Sequence, residues 1–341
     1  LRFSAPLAAL TLLATLPLFA DTSLTPERSV TKLAEGVYEI RHEDPLLGWV
    51  NGNTTVIIGS REVFVVDSCS VAWTAKEDIA QIRKWTDKPV RYLLNTHWHH
   101  DHSAGNSDYL DAFPGLAIVA HSETKAMLDA TSPDVAAGII KQATDARATA
   151  EKALQSGVGS DGKPLTEARR KRGEKMLADA TRVIDDAKSY KYAAPTLTFR
   201  DELTIDLGDR VVEVKHLGRG NTGGDAVAYL PKEKILVTGD LVVHPVPYTF
   251  DGYPAEWIGT LDKLAALDAD VIVPGHGDVE RDKKYLVQLR DLMKSIVAQV
   301  DKQVINNRDV SLDDVKKNVD FKKQQEEILA GDEADGPFFG Y

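Results

Sequence analysis

Residues 97–102 read His-Trp-His-His-Asp-His and follow directly on an apolar, β-rich run at 90–94. Four imidazoles and a carboxylate in six residues, out of only nine histidines in a chain of 341, cannot be buried unless each polar group finds a partner. Such a segment belongs at the exit of a buried strand, where its side chains converge on a common point or face water. On extended backbone, residues two apart share a side. His97 and His99 can therefore address one metal ion at about 2.0–2.1 Å, and Asp101 and His102, after the chain bends, a second. The competing reading is a solvated histidine-rich loop.

Two later segments repeat that placement. In 236–240 a Leu-Val-Thr-Gly-Asp run sets Asp240 after a buried strand, and in 271–277 a Val-Ile-Val-Pro-Gly-His-Gly run does the same for His276 between glycines. Alone, either is a turn carboxylate or a surface histidine. With the first cluster they become metal-ligand candidates. Cys69 is the single cysteine, so an internal disulfide, a thiolate zinc cluster and a Cys-x-x-Cys redox pair are all excluded. It reads as a small buried residue.

With 52 acidic against 41 basic side chains, the net charge of −11 disfavours a nucleic-acid surface. The basic run Arg169-Arg170-Lys171-Arg172 reads as a solvated helix face. A small-molecule substrate is expected, with no nucleic-acid partner and no stable membrane insertion; nothing in the chain specifies an oligomeric state.

Residues 1–20 hold an uncharged apolar run at 7–20 that is short for a membrane span and fits a secretory signal peptide, against the alternative of an N-terminal helix. A periplasmic or secreted location follows from the first reading. Residues 21–341 then form one domain. Strand-like runs at 37–40, 54–58, 63–66, 90–94 and 117–120 alternate with helical stretches at 74–85 and 123–129, and strands resume at 196–199, 203–205, 211–215, 226–230, 235–237 and 271–273. That alternation predicts α/β layers. Residues 134–192 interrupt it with apolar positions at helical spacing on either side of a Gly-rich breaker at 157–164, a helical hairpin serving as lid or packing arm. Helices expected at 255–267 and 282–304, and a last one opening at Ser311, make 282–341 a C-terminal helical extension.

His97-x-His99-x-Asp101-His102, Thr238-Gly239-Asp240 and Pro274-Gly275-His276-Gly277, in that order, closely resemble the metallo-β-lactamase superfamily over about residues 30 to 290, the hairpin excepted. The resemblance implies a four-layer αββα sandwich with a dinuclear zinc site along one edge, and matches Asp67 to a structural aspartate. It also exposes a departure: Asn221 stands where the family places a third histidine. An amide oxygen is a weaker zinc ligand than imidazole. The expectation is a tight second site of Asp101, His102, Asp240 and His276, and a looser first site of His97, His99, the shared Asp240 and weakly Asn221. His216 is an alternative ligand, although a structural role suits it better.

The resemblance further implies a zinc-dependent hydrolase in which a metal-bound hydroxide attacks an ester, lactone, thioester or amide carbonyl, with Asp101 orienting it and relaying a proton. Asp240 occupies the place where one lactamase subclass carries a cysteine ligand, which leans away from a dedicated β-lactamase, whereas export leans toward one. A β-lactam hydrolase and a metal-binding accessory protein with weak turnover are the alternatives. Trp98, His244, Tyr248 and Phe250 are expected near the substrate, and His42, His100 and His121 in structure or at the surface.

Overall fold

The computed structural model describes residues 28–329, apart from residue 44 and residues 47–49, 160–161 and 246–248. The expected signal peptide at 1–20 and Tyr248 lie outside the described residues.

Two sheets carry the fold. In the first, β1 (Ser29–Ala34), β2 (Val37–Arg41), β3 (Thr54–Ile58) and β4 (Val63–Val66) form an antiparallel meander. Helix α1 (Ala72–Trp85) then leads into the parallel strands β5 (Val90–Asn95), β6 (Ala117–His121) and β7 (Leu197–Phe199). Short helices α2 (His100–Ser103) and α3 (Asn106–Ala112) link β5 to β6. The second sheet runs β12-β11-β10-β9-β8, from β8 (Glu202–Asp206), β9 (Val211–Lys215), β10 (Val227–Leu230), β11 (Ile235–Val243) and β12 (Val271–His276).

The period of two along a strand sorts its side chains between layers. Phe64 and Val66 of β4 join Ile57 and Leu94 in a core shared with Val212, Val214, Ala228, Leu230, Val237 and Val273 of the other sheet. Val63 and Val65 point the opposite way, to Ile79 and Ile82 of α1 and Tyr109 of α3. On the far side, α7 (Pro254–Ala266) and α8 (Lys284–Asn306) lay Trp257, Leu261, Leu286 and Leu289 on Leu236 and Ile272. Helix, sheet, sheet, helix is the αββα sandwich. Short helices α9 (Leu312–Asn318) and α10 (Lys322–Leu329) follow, the first capped by the Ser311 hydroxyl accepting from the Asp314 N–H.

Between β6 and β7 stand α4 (Ser122–Thr131), α5 (Val135–Ser156) and α6 (Glu167–Ala187). Gly157, at φ 71°, ends α5 in the left-handed conformation that favours glycine, and the Thr166 side chain caps α6 by accepting from Arg169 N–H. Their facing Ala143, Ala150, Met176, Ala180 and Val183 pack with Leu46 and Trp73, and Asp186 accepts from Ala72 N–H at 2.7 Å. The hairpin is a packing arm on α1 and on the loop that follows β2.

Strand β11 departs from expectation. It runs on to Val243, and Asp240 lies inside it rather than at its exit. Pairing with β12 shifts register around Gly239, whose φ of 52° turns the chain there. The kink, not a strand end, aims the Asp240 carboxylate. Strand β1, paired with β2 through the turn at Gly36, was not foreseen.

Candidate metal centre

The exits of β5 and β12 and the kink in β11 meet at one edge of the sandwich. Asp67, at φ 61° just after β4, underpins them. Its Oδ1 accepts Thr96 N–H at 2.8 Å, and its Oδ2 accepts the Thr96 hydroxyl and His102 Nδ1–H, each at 2.8 Å. Those bonds settle two tautomers. Since His102 spends its Nδ1 proton on Asp67, Nε2 is the nitrogen left to face a cation or to carry a second proton. Thr96 has given its only proton to Asp67, so His97 Nδ1 donates to the Thr96 oxygen at 3.0 Å and His97 Nε2 is bare.

Asp101, His102, Asp240 and His276 converge. His276 Nε2 lies 3.0 Å from Asp101 Oδ2 and 3.4 Å from Asp240 Oδ1. His102 Nε2 lies 3.4 Å and 3.2 Å from the same two oxygens, and the two imidazole nitrogens are 3.1 Å apart. A tetrahedral ion with ligands at about 2.0–2.1 Å sets its ligand atoms roughly 3.3 Å from one another. Asp240 Oδ1, though close to both rings, has no hydrogen-bond partner among the described residues. The spacing is that of ligands around a shared cation.

His97, His99 and Asp240 form the neighbouring donor group, their ligand atoms within 4.8 Å of one another, with His97 Nε2 3.6 Å from Asp240 Oδ2. Asn221 is fully buried beside them. Its amide nitrogen is 3.5 Å from His99 Nδ1, and its Oδ1 has no hydrogen-bond partner among the described residues, as is true of His97 Nε2. Buried polar atoms without partners cost about 1–3 kcal/mol each. Three in one pocket, all of them lone-pair donors, fit a cation that they would share, and zinc suits the nitrogen and oxygen set.

Charge points the same way. Burial opposes ionisation of Asp101 and Asp240, but the neighbouring imidazoles hold both well below the usual carboxylate range. Burial likewise opposes protonation of His102 and His276, yet the carboxylates raise the first well above its ordinary value and the second to about 9. The pocket thus calls for positive charge, which either protons or a divalent ion supplies. His97 is driven well below its ordinary value by burial and by the charge of His102, which keeps its ring neutral.

The remaining expected residues divide. Trp98 packs edge-on against His99, ring centroids 4.6 Å apart, at the mouth. His244 bonds to the site through its backbone, N–H to the His276 carbonyl at 3.1 Å, while its ring stands against Tyr285 and 3.5 Å from Glu280. Phe250 is 70% exposed. His216 turns away, bonding the Asp225 carbonyl and stacking on His121 at 4.3 Å, and belongs to neither donor group. A cleft of about 740 Å³ beside His216 is lined by none of the donor residues. His100, held down to about 4 by burial, is neutral and outside both groups.

Sequence reasoning missed two supports. Asp251 accepts from His99 Nε2–H at 3.3 Å, so His99 presents Nδ1 toward Asn221. Nothing marks an exposed loop carboxylate for that task. The second support is Asn51-Gly52-Asn53, which reads as a turn signal. Asn53 N–H donates to the Gly275 carbonyl at 2.7 Å and its amide to the Pro274 and Gly277 carbonyls.

Known proteins bear on this geometry. A linear primary-alkylsulfatase from Pseudomonas sp. (strain ATCC 19151) is 25% identical over 266 residues, 75% of this chain and 48% of that one. A type 2 metallo-beta-lactamase from Bacteroides fragilis is 35% identical over 101 residues, 28% of this chain and 41% of its own. The chain thus spans about half the length of the curated relatives it matches, or less. Among solved structures, a metallo-beta-lactamase from Pontibacter korlensis superposes with a TM-score of 0.56 at 20% identity, over 79% of this chain and 99% of that one, a likeness of fold. The family model of the metallo-beta-lactamase superfamily matches residues 47–276, more than half of the chain and every donor residue of both groups, and the chain belongs to that superfamily.

Proposed function

We propose that the chain is a metal-dependent hydrolase that holds up to two zinc ions and cleaves an ester, lactone, thioester or amide of a small molecule. The observation that carries the reading is the spacing of 3.0–3.4 Å among the ligand atoms of Asp101, His102, Asp240 and His276, beside His97 Nε2 and Asn221 Oδ1, which lack a hydrogen-bond partner among the described residues. In this reading His97, His99, Asp240 and weakly Asn221 hold one ion, and Asp101, His102, Asp240 and His276 the other. Ions bound there supply Lewis acidity toward a carbonyl oxygen and a water of lowered pKa.

The chain's own groups do the rest. Asp101 is the more exposed of the two cage carboxylates, its side chain 19% accessible against 3% for Asp240. Kept ionised by His102 and His276 against the pull of burial, it can orient the attacking water and relay its proton to the leaving group through the carboxylate oxygen other than Oδ2. His97, His102 and Asp240 are buried, and Thr96 and Asp67 hold the rings of His97 and His102, which fixes those donors before substrate arrives. Trp98 offers apolar surface beside His99. The apolar run at 7–20 supports export to the periplasm or beyond.

A β-lactam substrate is favoured by the Bacteroides fragilis relative, and a sulfate ester by the alkylsulfatase. Weak turnover in an accessory protein is favoured by Asn221 alone. Metal analysis of the purified chain, joined to a panel of ester, lactone, thioester, sulfate-ester and chromogenic cephalosporin substrates, tests the reading. Zinc at one to two equivalents with turnover on a member of the panel is expected; a chain that takes up no divalent metal overturns it.

A further inference from the structure

Beneath the metal centre lies a third knot of polar side chains, His42, Cys69 and Asp78, all completely buried. His42 Nε2 is 2.9 Å from Asp78 Oδ2, and Cys69 Sγ is 3.3 Å from that oxygen and 3.5 Å from the nitrogen. The other carboxylate oxygen accepts from Arg28 at 3.0 Å.

Spacing of this kind suits a metal ion, but the far side of the ring argues otherwise. His42 Nδ1 stands 2.8 Å from the Gly52 carbonyl, which can only accept, and Nε2 faces a carboxylate, which can only accept. Both nitrogens must carry protons. The knot is therefore a buried imidazolium–carboxylate pair. Burial disfavours both charges, and each partner overcomes that for the other, His42 rising well above its ordinary value and Asp78 falling below its own.

The pair's outward bond goes to a short strap with three attachments. Asn51 Oδ1 accepts from Ser70 N–H at 2.8 Å and from its hydroxyl at 3.0 Å. Gly52 N–H donates to the Asp101 carbonyl at 3.1 Å, and a Cβ on Gly52 would come within 2.6 Å of the His102 ring. Asn53 reaches across to Pro274, Gly275 and Gly277 on either side of His276. One strap therefore holds the Asp101-His102 turn and the His276 turn, 174 residues apart in sequence, at a set separation.

We propose that the buried His42–Asp78 pair is a positioning device for the second metal site, acting through the Asn51-Gly52-Asn53 strap. It rests on the metal-centre reading above. The pair bonds to none of the four proposed ligands, and its effect is on where the Asp101, His102 and His276 donors stand.

The test is the zinc dissociation constant of the tighter site in the full chain, measured by competition with a chromophoric chelator well below the unfolding temperature. Groups that support metal ligands from outside cost about 10- to 100-fold in affinity when removed. His42→Gln and Gly52→Ala should each weaken the tighter site by at least tenfold. Gly52→Ala leaves the ion pair intact and presses on His102 directly. Leu289→Ala, in the helical layer behind the second sheet, lowers the unfolding temperature without touching the strap and should leave affinity unchanged. The absorption of cobalt in the tighter site should shift in the first two variants and not in the third.

Wild-type affinity in a folded His42→Gln or Gly52→Ala variant overturns the proposal, as does an equal loss in Leu289→Ala. Should His42→Gln not fold, Asp78→Asn, which keeps the shape and removes the charge, takes its place. A wild-type chain that binds no zinc would instead refute the metal-centre reading, so the two failures are distinct. A near-ultraviolet thiolate-to-cobalt band lost on Cys69→Ser would mean that the knot itself holds metal, and would also overturn the proposal.

Discussion

His102 donates its Nδ1 proton to Asp67 Oδ2 at 2.8 Å, and the whole donor set depends on that bond, because it leaves Nε2 free to face Asp101, Asp240 and His276. Asp67→Ala should weaken zinc in the tighter site by about 10- to 100-fold. Chelator competition measures it, and unchanged affinity would show that the ring is held by packing alone.

Asn221→Asp keeps the side chain's shape and replaces a neutral oxygen with a charged one. First-site affinity should rise by tenfold or more, so that a titration showing one tight and one loose event in the wild type shows two tight ones in the variant. Calorimetric titration of the apo-chain reads both. Two equal sites in the wild type would contradict the assigned weakness of Asn221.

Asp251→Ala removes the acceptor that turns His99 Nε2 outward. The looser site should weaken by about tenfold, with the tighter one unchanged. A change confined to the tighter site would refute the assignment.

Gly275 admits no side chain, since a Cβ there would lie 1.9 Å from Asp240 Oδ1 and 2.7 Å from the Gly239 carbonyl carbon. Gly275→Ala should displace the Asp240 carboxylate and abolish tight zinc binding, read as metal content after dialysis. Retention of stoichiometric zinc would mean that the β11 kink gives way instead.

Glu39 is buried in β2, and that burial raises its pKa to about 7, against a hydrogen bond from Thr31. A carboxyl whose folded pKa lies above its unfolded value holds its proton longer in the folded state. Its contribution to stability therefore declines as pH rises from the unfolded value near 4.5 through about 7. Glu39→Gln removes that decline. The variant should gain on the wild type by up to roughly 3 kcal/mol between pH 4.5 and 8, at about 1.4 kcal/mol per unit. Denaturant unfolding at the two pH values measures the difference, and a constant offset would refute it.

Much of the architecture is legible in local pattern. The run at 63–66 and its neighbours are apolar because strands in a two-sheet core are covered on both faces, and the Gly157 breaker and the Ser311 cap act within a few residues of themselves. The ligand motifs are legible for a related reason: four imidazoles and a carboxylate in six residues leave few physical options. The extent of β11 was not, because Thr238-Gly239-Asp240 resembles a strand exit, and the pairing of Gly239 with Pro274 and of Val243 with His276 carries the strand onward. His42 offered no signal at all. An isolated histidine in a strand-edge segment acquires its meaning from Asp78, 36 residues on, and from Gly52 above it.

Residue types and their spacing therefore specify the layers and name the metal donors, since both follow from side-chain chemistry and short-range periodicity. Which nitrogen of each ring is bare, which carboxylate is kinked into the pocket and what holds the ligand turns apart are decided by folding. Those properties reside in hydrogen bonds of about 3 Å between groups far apart in the chain, and no local pattern carries that distance.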